Sequence, residues 1–170
     1  MDLVSVLTAI IIGVLQGFFE WLPISSEGNL TIILTAIGSN PAVAVQYALF
    51  LHFGTAIAAT AYFRQDVWKI LEEVLLVHGG IYDRRELKFL ILATLLSGIT
   101  GIGVYLLLID FVTTVDGGLV VVLIGVLLVL TGVFQRLSSS HTASQTFSTP
   151  VLDALLVGVG QGAAILPGVS

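Results

Sequence analysis

The pentapeptide Gly13-Val14-Leu15-Gln16-Gly17 returns 145 residues later as Gly158-Val159-Gly160-Gln161-Gly162. Each copy runs through a short apolar stretch into Leu-Pro and serine, as Leu22-Pro23-Ile24-Ser25-Ser26 and as Leu166-Pro167-Gly168-Val169-Ser170. Between glutamine and proline the copies differ by a single residue. A polar, helix-breaking phrase at corresponding places in two apolar segments restricts the fold severely, because interrupted helices of this kind meet at the binding sites of repeat-built membrane proteins. Two full repeats of this length need about 290 residues. The expected division is therefore a first repeat over 1–137, a linker over 138–150 and the opening of a second repeat over 151–170.

Composition points to a bilayer. Hydrophobic residues make up 56% of the 170 and charged residues 10%, with a mean hydropathy of +1.07; soluble domains carry about 25% charged residues. The chain has no cysteine, which removes disulfide and thiol chemistry. Met1-Asp2 opens without a basic stretch or a small-residue cleavage site, so the first apolar run reads as part of the fold and not as a signal peptide. A net charge of −5 argues against nucleic acid as a partner, since phosphate backbones are held by clusters of Lys and Arg.

Three segments can cross roughly 30 Å of hydrocarbon. They are residues 42–63, 87–109 and 119–135, the last having its apolar run between Leu119 and Phe134. Arg64, Lys69, Arg84, Arg85 and Lys88 lie in or beside the first connection, and Arg136 follows the third span. By the positive-inside bias those places are cytoplasmic, which puts Gly38 to Pro41 and the turn from Asp110 to Gly118 outside. Asp66 to Val77 has helical apolar spacing, as a surface amphipathic helix or as an extension of the preceding span. Residues 3–37 surround a polar kernel, Glu20 to Asn29, with apolar flanks and read as a re-entrant hairpin. Three crossings separate the kernels, so the second is inverted and the Pro/Ser turns are expected to meet near the midplane. The expected fold is an all-α polytopic membrane protein with a re-entrant hairpin, three transmembrane helices and the start of an inverted repeat.

Gln16 and Glu20 are four apart and share a helix face, with Ser25, Ser26, Glu27 and Asn29 just beyond. A carboxylate within lipid costs at least ~2.5 to 3.5 kcal/mol on insertion scales, which makes Glu20 a functional candidate. Hydroxyls and N–H groups at a helix start suit phosphate, and adjacent carboxylates suit a hard divalent cation that bridges to it. Either serine could equally be a helix N-cap. His52, in mid-span, needs a partner and is a site residue or a helix-to-helix hydrogen bond. Gly54 and Ala58, like Ser97 and Gly101, have the spacing of close helix packing. Asp153 reads as a helix N-terminal charge.

Gln16-Gly17-Phe18-Phe19-Glu20, Leu22-Pro23-Ile24-Ser25-Ser26-Glu27-Gly28-Asn29, His52 to Thr55 and the final Leu-Pro-Gly-Val-Ser together resemble the undecaprenyl-diphosphate phosphatases, or bacitracin-resistance proteins. The resemblance runs over the whole chain. It implies two re-entrant hairpins, six crossings in inverted repeats, and an integral-membrane hydrolase of the plasma membrane with an outward-facing site. Its reaction takes a polyprenyl diphosphate to the monophosphate and so recycles the lipid carrier for envelope glycans. By position, Glu20, Ser26 and Glu27 are the catalytic candidates. Gln16, Ser25, Asn29, His52 and Ser170 are the substrate-binding ones, and Glu20 with Gln16 would hold Mg²⁺ or Ca²⁺. Two positions depart from the family pattern: its motif histidine is Asn29 here, and Glu27 stands where a small neutral residue is usual. The motif arginine falls beyond Ser170, and the polypeptide ending there is expected to be inactive alone unless a homodimer completes its site. A lipid-carrier flippase would use the same inverted breaks, and a noncatalytic assembly subunit is the third possibility.

Overall fold

The computed structural model describes residues 3–76, 84–138 and 150–169. These form seven helices and no strand: α1 Leu3–Phe19, α2 Ser26–Ala36, α3 Pro41–Tyr62, α4 Arg64–Leu76, α5 Arg84–Thr114, α6 Gly117–Ser138 and α7 Pro150–Ala163. Three of them, α3, α5 and α6, are long and apolar enough to cross a membrane. The expected spans 87–109 and 119–135 lie inside α5 and α6, and 42–63 runs one residue past the end of α3. The linker at 138–150 falls almost wholly outside the described residues, as do Ser170 and Val77.

The helices begin and stop where local chemistry requires. Asn40 caps α3 by accepting the Ala42 N–H at 2.9 Å, and Pro41, which has no N–H to satisfy, takes the first helical position. α4 starts directly after Phe63, so the amphipathic segment is a separate helix and not an extension of α3. Asp153 lies in the first turn of α7, as the charge argument requires. The expected external turn from Asp110 to Gly118 is shorter than its sequence implied. α5 runs on to Thr114, its last turn closed by Thr113 and Thr114 hydroxyls donating to the carbonyls of Ile109, Asp110 and Phe111.

α3 is the hub, touching α1, α2, α5, α6 and α4. Ile12, Leu30, Leu34, Ala44 and Ala48 form one core between α1, α2 and α3. Val45, Leu108, Val112, Val120 and Ile124 form a second between α3, α5 and α6. Many of the large apolar residues that remain exposed, among them Phe50, Phe53, Ile99, Leu107 and Val129, belong to α3, α5 and α6, where a bilayer takes the place of water.

α5 and α7 run parallel and pack closely. A Cβ on Gly158 would lie 2.8 Å from the Ala93 carbonyl oxygen, and one on Gly162 would lie 2.7 Å from that of Ser97 and 2.9 Å from the Gly101 nitrogen. The small residues on α5 thus permit a backbone approach, as their spacing implied. Gly54 and Ala58 do not behave in this way. Both are exposed, and nothing lies within 4 Å of a Cβ built on Gly54.

Candidate active site

The helix of Gln16 ends at Phe19, and Glu20 hangs from its last backbone hydrogen bond, Glu20 N–H to the Gln16 carbonyl at 2.9 Å. Gln16 Nε2 donates to Glu20 Oε2 at 3.0 Å, so the four-residue spacing does bring the two side chains together. The chain reverses through Pro23 and enters α2 at Ser26, with Ser25 as N-cap at φ 54°. Ser26 Oγ donates to Glu20 Oε2 at 2.7 Å. From α3, His52 Nε2 stands 2.9 Å from Glu20 Oε2 and 3.0 Å from Glu27 Oε1, and 3.1 Å from Ser26 Oγ. Its other nitrogen, Nδ1, donates to the Ala48 carbonyl at 3.0 Å.

Positive charge is required here. Two carboxylate oxygens and a ring nitrogen within about 3 Å repel one another unless a proton or a cation lies among them. Among the described residues no Lys or Arg lines the cleft that these groups face. Gln16, 1% exposed, leaves its Oε1 buried with no hydrogen-bond partner. Among the described residues no three His, Cys, Asp or Glu side chains are arranged as a metal cage, because the carboxylates converge on His52 itself.

The cleft has a volume of about 590 Å³. Glu20, Ser26, Glu27 and His52 reach it from α2, α3 and the first turn, while Tyr105 reaches it from α5 and Gln161 from α7. Phe19, Leu22, Leu49, Ile165 and Val169 supply apolar lining. The two Pro/Ser turns are in direct contact, with the Gly168 N–H donating to Ser25 Oγ at 2.9 Å.

Not every expected site residue reaches the cleft. Asn29 Nδ2 donates to the carbonyls of Ile24 at 2.6 Å and Ser25 at 3.0 Å, tying off the turn, and Asn29 is not part of the lining. Ser25 is buried and faces Gly168. Gln16 stands behind Glu20. Ser170 lies outside the described residues. One residue that sequence reasoning passed over is Thr131, whose Oγ1 donates to the Gly168 carbonyl at 2.8 Å. The available signal was a lone hydroxyl in the apolar run of α6.

Residues 9–170 match the family described as bacitracin resistance protein BacA. The chain belongs to this family. It is 42% identical over 168 residues to the undecaprenyl-diphosphatase of Haloarcula marismortui, covering 97% of this chain and 62% of the relative. The undecaprenyl-diphosphatase of Methanococcoides burtonii is 37% identical, with 99% and 64% covered. That of Methanopyrus kandleri is also 37% identical, with 96% and 60% covered. The chain thus spans about three fifths of the length of these relatives. No solved structure matches it.

Proposed function

We propose that the protein is an integral-membrane phosphohydrolase that cleaves a polyprenyl diphosphate of the undecaprenyl type to the monophosphate and phosphate. The observation that carries this reading is the convergence of Glu20, Ser26, Glu27 and His52 on one cleft lined from both Pro/Ser turns. The relatives bear the name of that activity. The polar groups suit the diphosphate and the apolar lining suits the first carbons of its chain.

Ser26 is the proposed nucleophile. Its proton points at Glu20 Oε2, 2.7 Å away, which leaves the Oγ lone pairs for the terminal phosphorus. As the Oγ–P bond forms, the bridging P–O bond breaks, the prenyl monophosphate leaves and Glu20 receives the serine proton. Water then cleaves the phosphoserine to release phosphate. Glu27 and the Ala48 carbonyl hold the His52 ring against Ser26 and Glu20. Glu20 is the carboxylate that would hold a divalent cation, Mg²⁺ or Ca²⁺, while Gln16, expected to share that role, donates its amide to Glu20 from behind the cleft. When bound, such a cation would neutralise diphosphate charge.

The same proposal places the site within the bilayer. α2 has 11 residues, about 16 Å at helical rise, and cannot cross a hydrocarbon layer of about 30 Å. His52 lies midway along the 22 residues of α3. A turn level with His52 is therefore near the midplane. α1 and α2 then form a re-entrant hairpin from the outer side, with 1–137 as the first repeat and α7 opening the inverted second, and the cleft faces outward. Single cysteines near Lys69 and Arg136 are expected to react only with cytoplasmic reagent, and cysteines at Ser39 and Asp116 only with external reagent. A cytoplasmic label at Ser39 rules out this topology.

The activity is tested by phosphate release from undecaprenyl diphosphate by the full-length protein in detergent. Release that chelator abolishes and Mg²⁺ or Ca²⁺ restores is the expected result. Movement of the lipid between leaflets without release assigns the site to a flippase instead.

A further inference from the structure

Ser25 has a backbone that serine rarely adopts, φ 54° and ψ 93°, and it is the only non-glycine residue with positive φ among those described. Such strain persists where the surroundings demand the side chain in that place. Its hydroxyl is fully used. Oγ accepts the Gly168 N–H at 2.9 Å and the Gly28 N–H at 3.4 Å, and donates to Glu27 Oε2 at 3.4 Å. One O–H and two lone pairs leave nothing for a substrate.

The Gly168 peptide is gripped from its other side as well. Thr131 Oγ1, from α6, donates to the Gly168 carbonyl at 2.8 Å. Contact is close all round: a Cβ on Gly28 would lie 2.8 Å from the Gly168 nitrogen and 3.1 Å from Leu128 Cδ2. The next residue, Val169, lines the cleft, and so does Glu27, to which Ser25 donates.

We infer that Ser25 and Thr131 are positioning residues forming a two-point clasp on Gly168, which sets the second Pro/Ser turn in register with the first and so shapes the cleft. Ser25 then acts on the reaction through Gly168 and Glu27, not by touching the substrate. The kinetic arm of its test rests on the diphosphatase reading; the structural arm does not.

The test compares Thr131→Val, which deletes the hydroxyl at nearly constant shape, Thr131→Ser, which keeps it, and Ser25→Gly, which deletes the hydroxyl and also relieves the backbone strain. Hydrogen exchange of the full-length protein is followed by mass spectrometry in the peptide carrying Leu166, Gly168 and Val169. Thr131→Val and Ser25→Gly are expected to speed exchange there by about fivefold or more, the effect of one lost hydrogen bond, while Thr131→Ser stays near wild type. In the phosphate-release assay the same two variants lose about tenfold or more in kcat with KM within about twofold, as for a misplaced rather than a missing group. Unchanged exchange in Thr131→Val and Ser25→Gly overturns the clasp. Equal acceleration in Thr131→Ser and Thr131→Val also overturns it, by assigning Thr131 to packing. A wild-type protein without phosphatase activity refutes the proposed function, and the exchange result still decides the clasp.

Discussion

Replacing Glu20 by alanine is expected to lower the rate of phosphate release about 1000-fold. One oxygen of this carboxylate, Oε2, is within 3.0 Å of Gln16 Nε2, Ser26 Oγ and His52 Nε2. Its removal takes the proposed proton acceptor from Ser26, leaves the Gln16 amide nitrogen without the carboxylate it donates to, and withdraws the proposed cation ligand. Glu20→Gln preserves the shape but neither the charge nor the basicity, and should lose nearly as much. Gln16→Ala is expected to cost less, since it removes a neutral oxygen behind the carboxylate. Phosphate release at matched amounts of protein, with gel filtration to show that the variants are folded, measures this. Wild-type turnover in a folded Glu20→Ala protein removes Glu20 from the chemistry.

Gly168→Ala is the second large effect, and it acts through the backbone. Gly168 has φ +99°, a conformation that costs an L side chain energy by itself. A Cβ there would also lie 2.8 Å from the Ile124 carbonyl oxygen, 2.8 Å from Leu127 Cβ and 3.2 Å from the Leu128 nitrogen. Two of those atoms belong to the α6 backbone, which cannot turn aside as a side chain can. Strain and overpacking together should destabilise the seated turn by on the order of 3 kcal/mol. The expected outcome is loss of both clasp hydrogen bonds, a melting temperature lower by about 5–10 °C and little remaining phosphate release. Thermal unfolding in detergent, followed beside activity, checks it. Near-wild-type melting and activity would mean that the second turn does not sit against α6.

Much of this architecture could be read without coordinates, because a bilayer enforces simple rules. The apolar runs appear as α3, α5 and α6. Pro23 with the surrounding polar residues predicts the break between α1 and α2, since an interior proline removes a helix hydrogen bond and serine favours a cap. The spacing of Gln16 and Glu20 predicts their contact, because residues four apart share a helix face. Helix ends were less legible. α5 continues through Asp110 to Thr114, where threonine hydroxyls return to the helix's own carbonyls and let polar residues extend it.

Contacts between distant residues were decided by the tertiary structure alone. Ser25, Asn29 and Gln16 are all polar residues of one kernel, and composition cannot sort them. The structure directs Asn29 to two turn carbonyls and Ser25 to Gly168. Small-residue spacing occurs on both α3 and α5, yet only α5 meets glycines on a neighbouring helix, so Ser97 and Gly101 pack while Gly54 stays exposed. The lone hydroxyl of Thr131 marks a polar contact but not its partner, a backbone carbonyl 37 residues away. The sequence by itself determined the periodicities, breaks and charge placement that make a helical membrane protein, since each follows from residues within a few positions of one another. Only the tertiary structure decided which hydroxyl faces the cleft and which holds the turns together, because a serine's role depends on what the fold places within 3 Å of its oxygen.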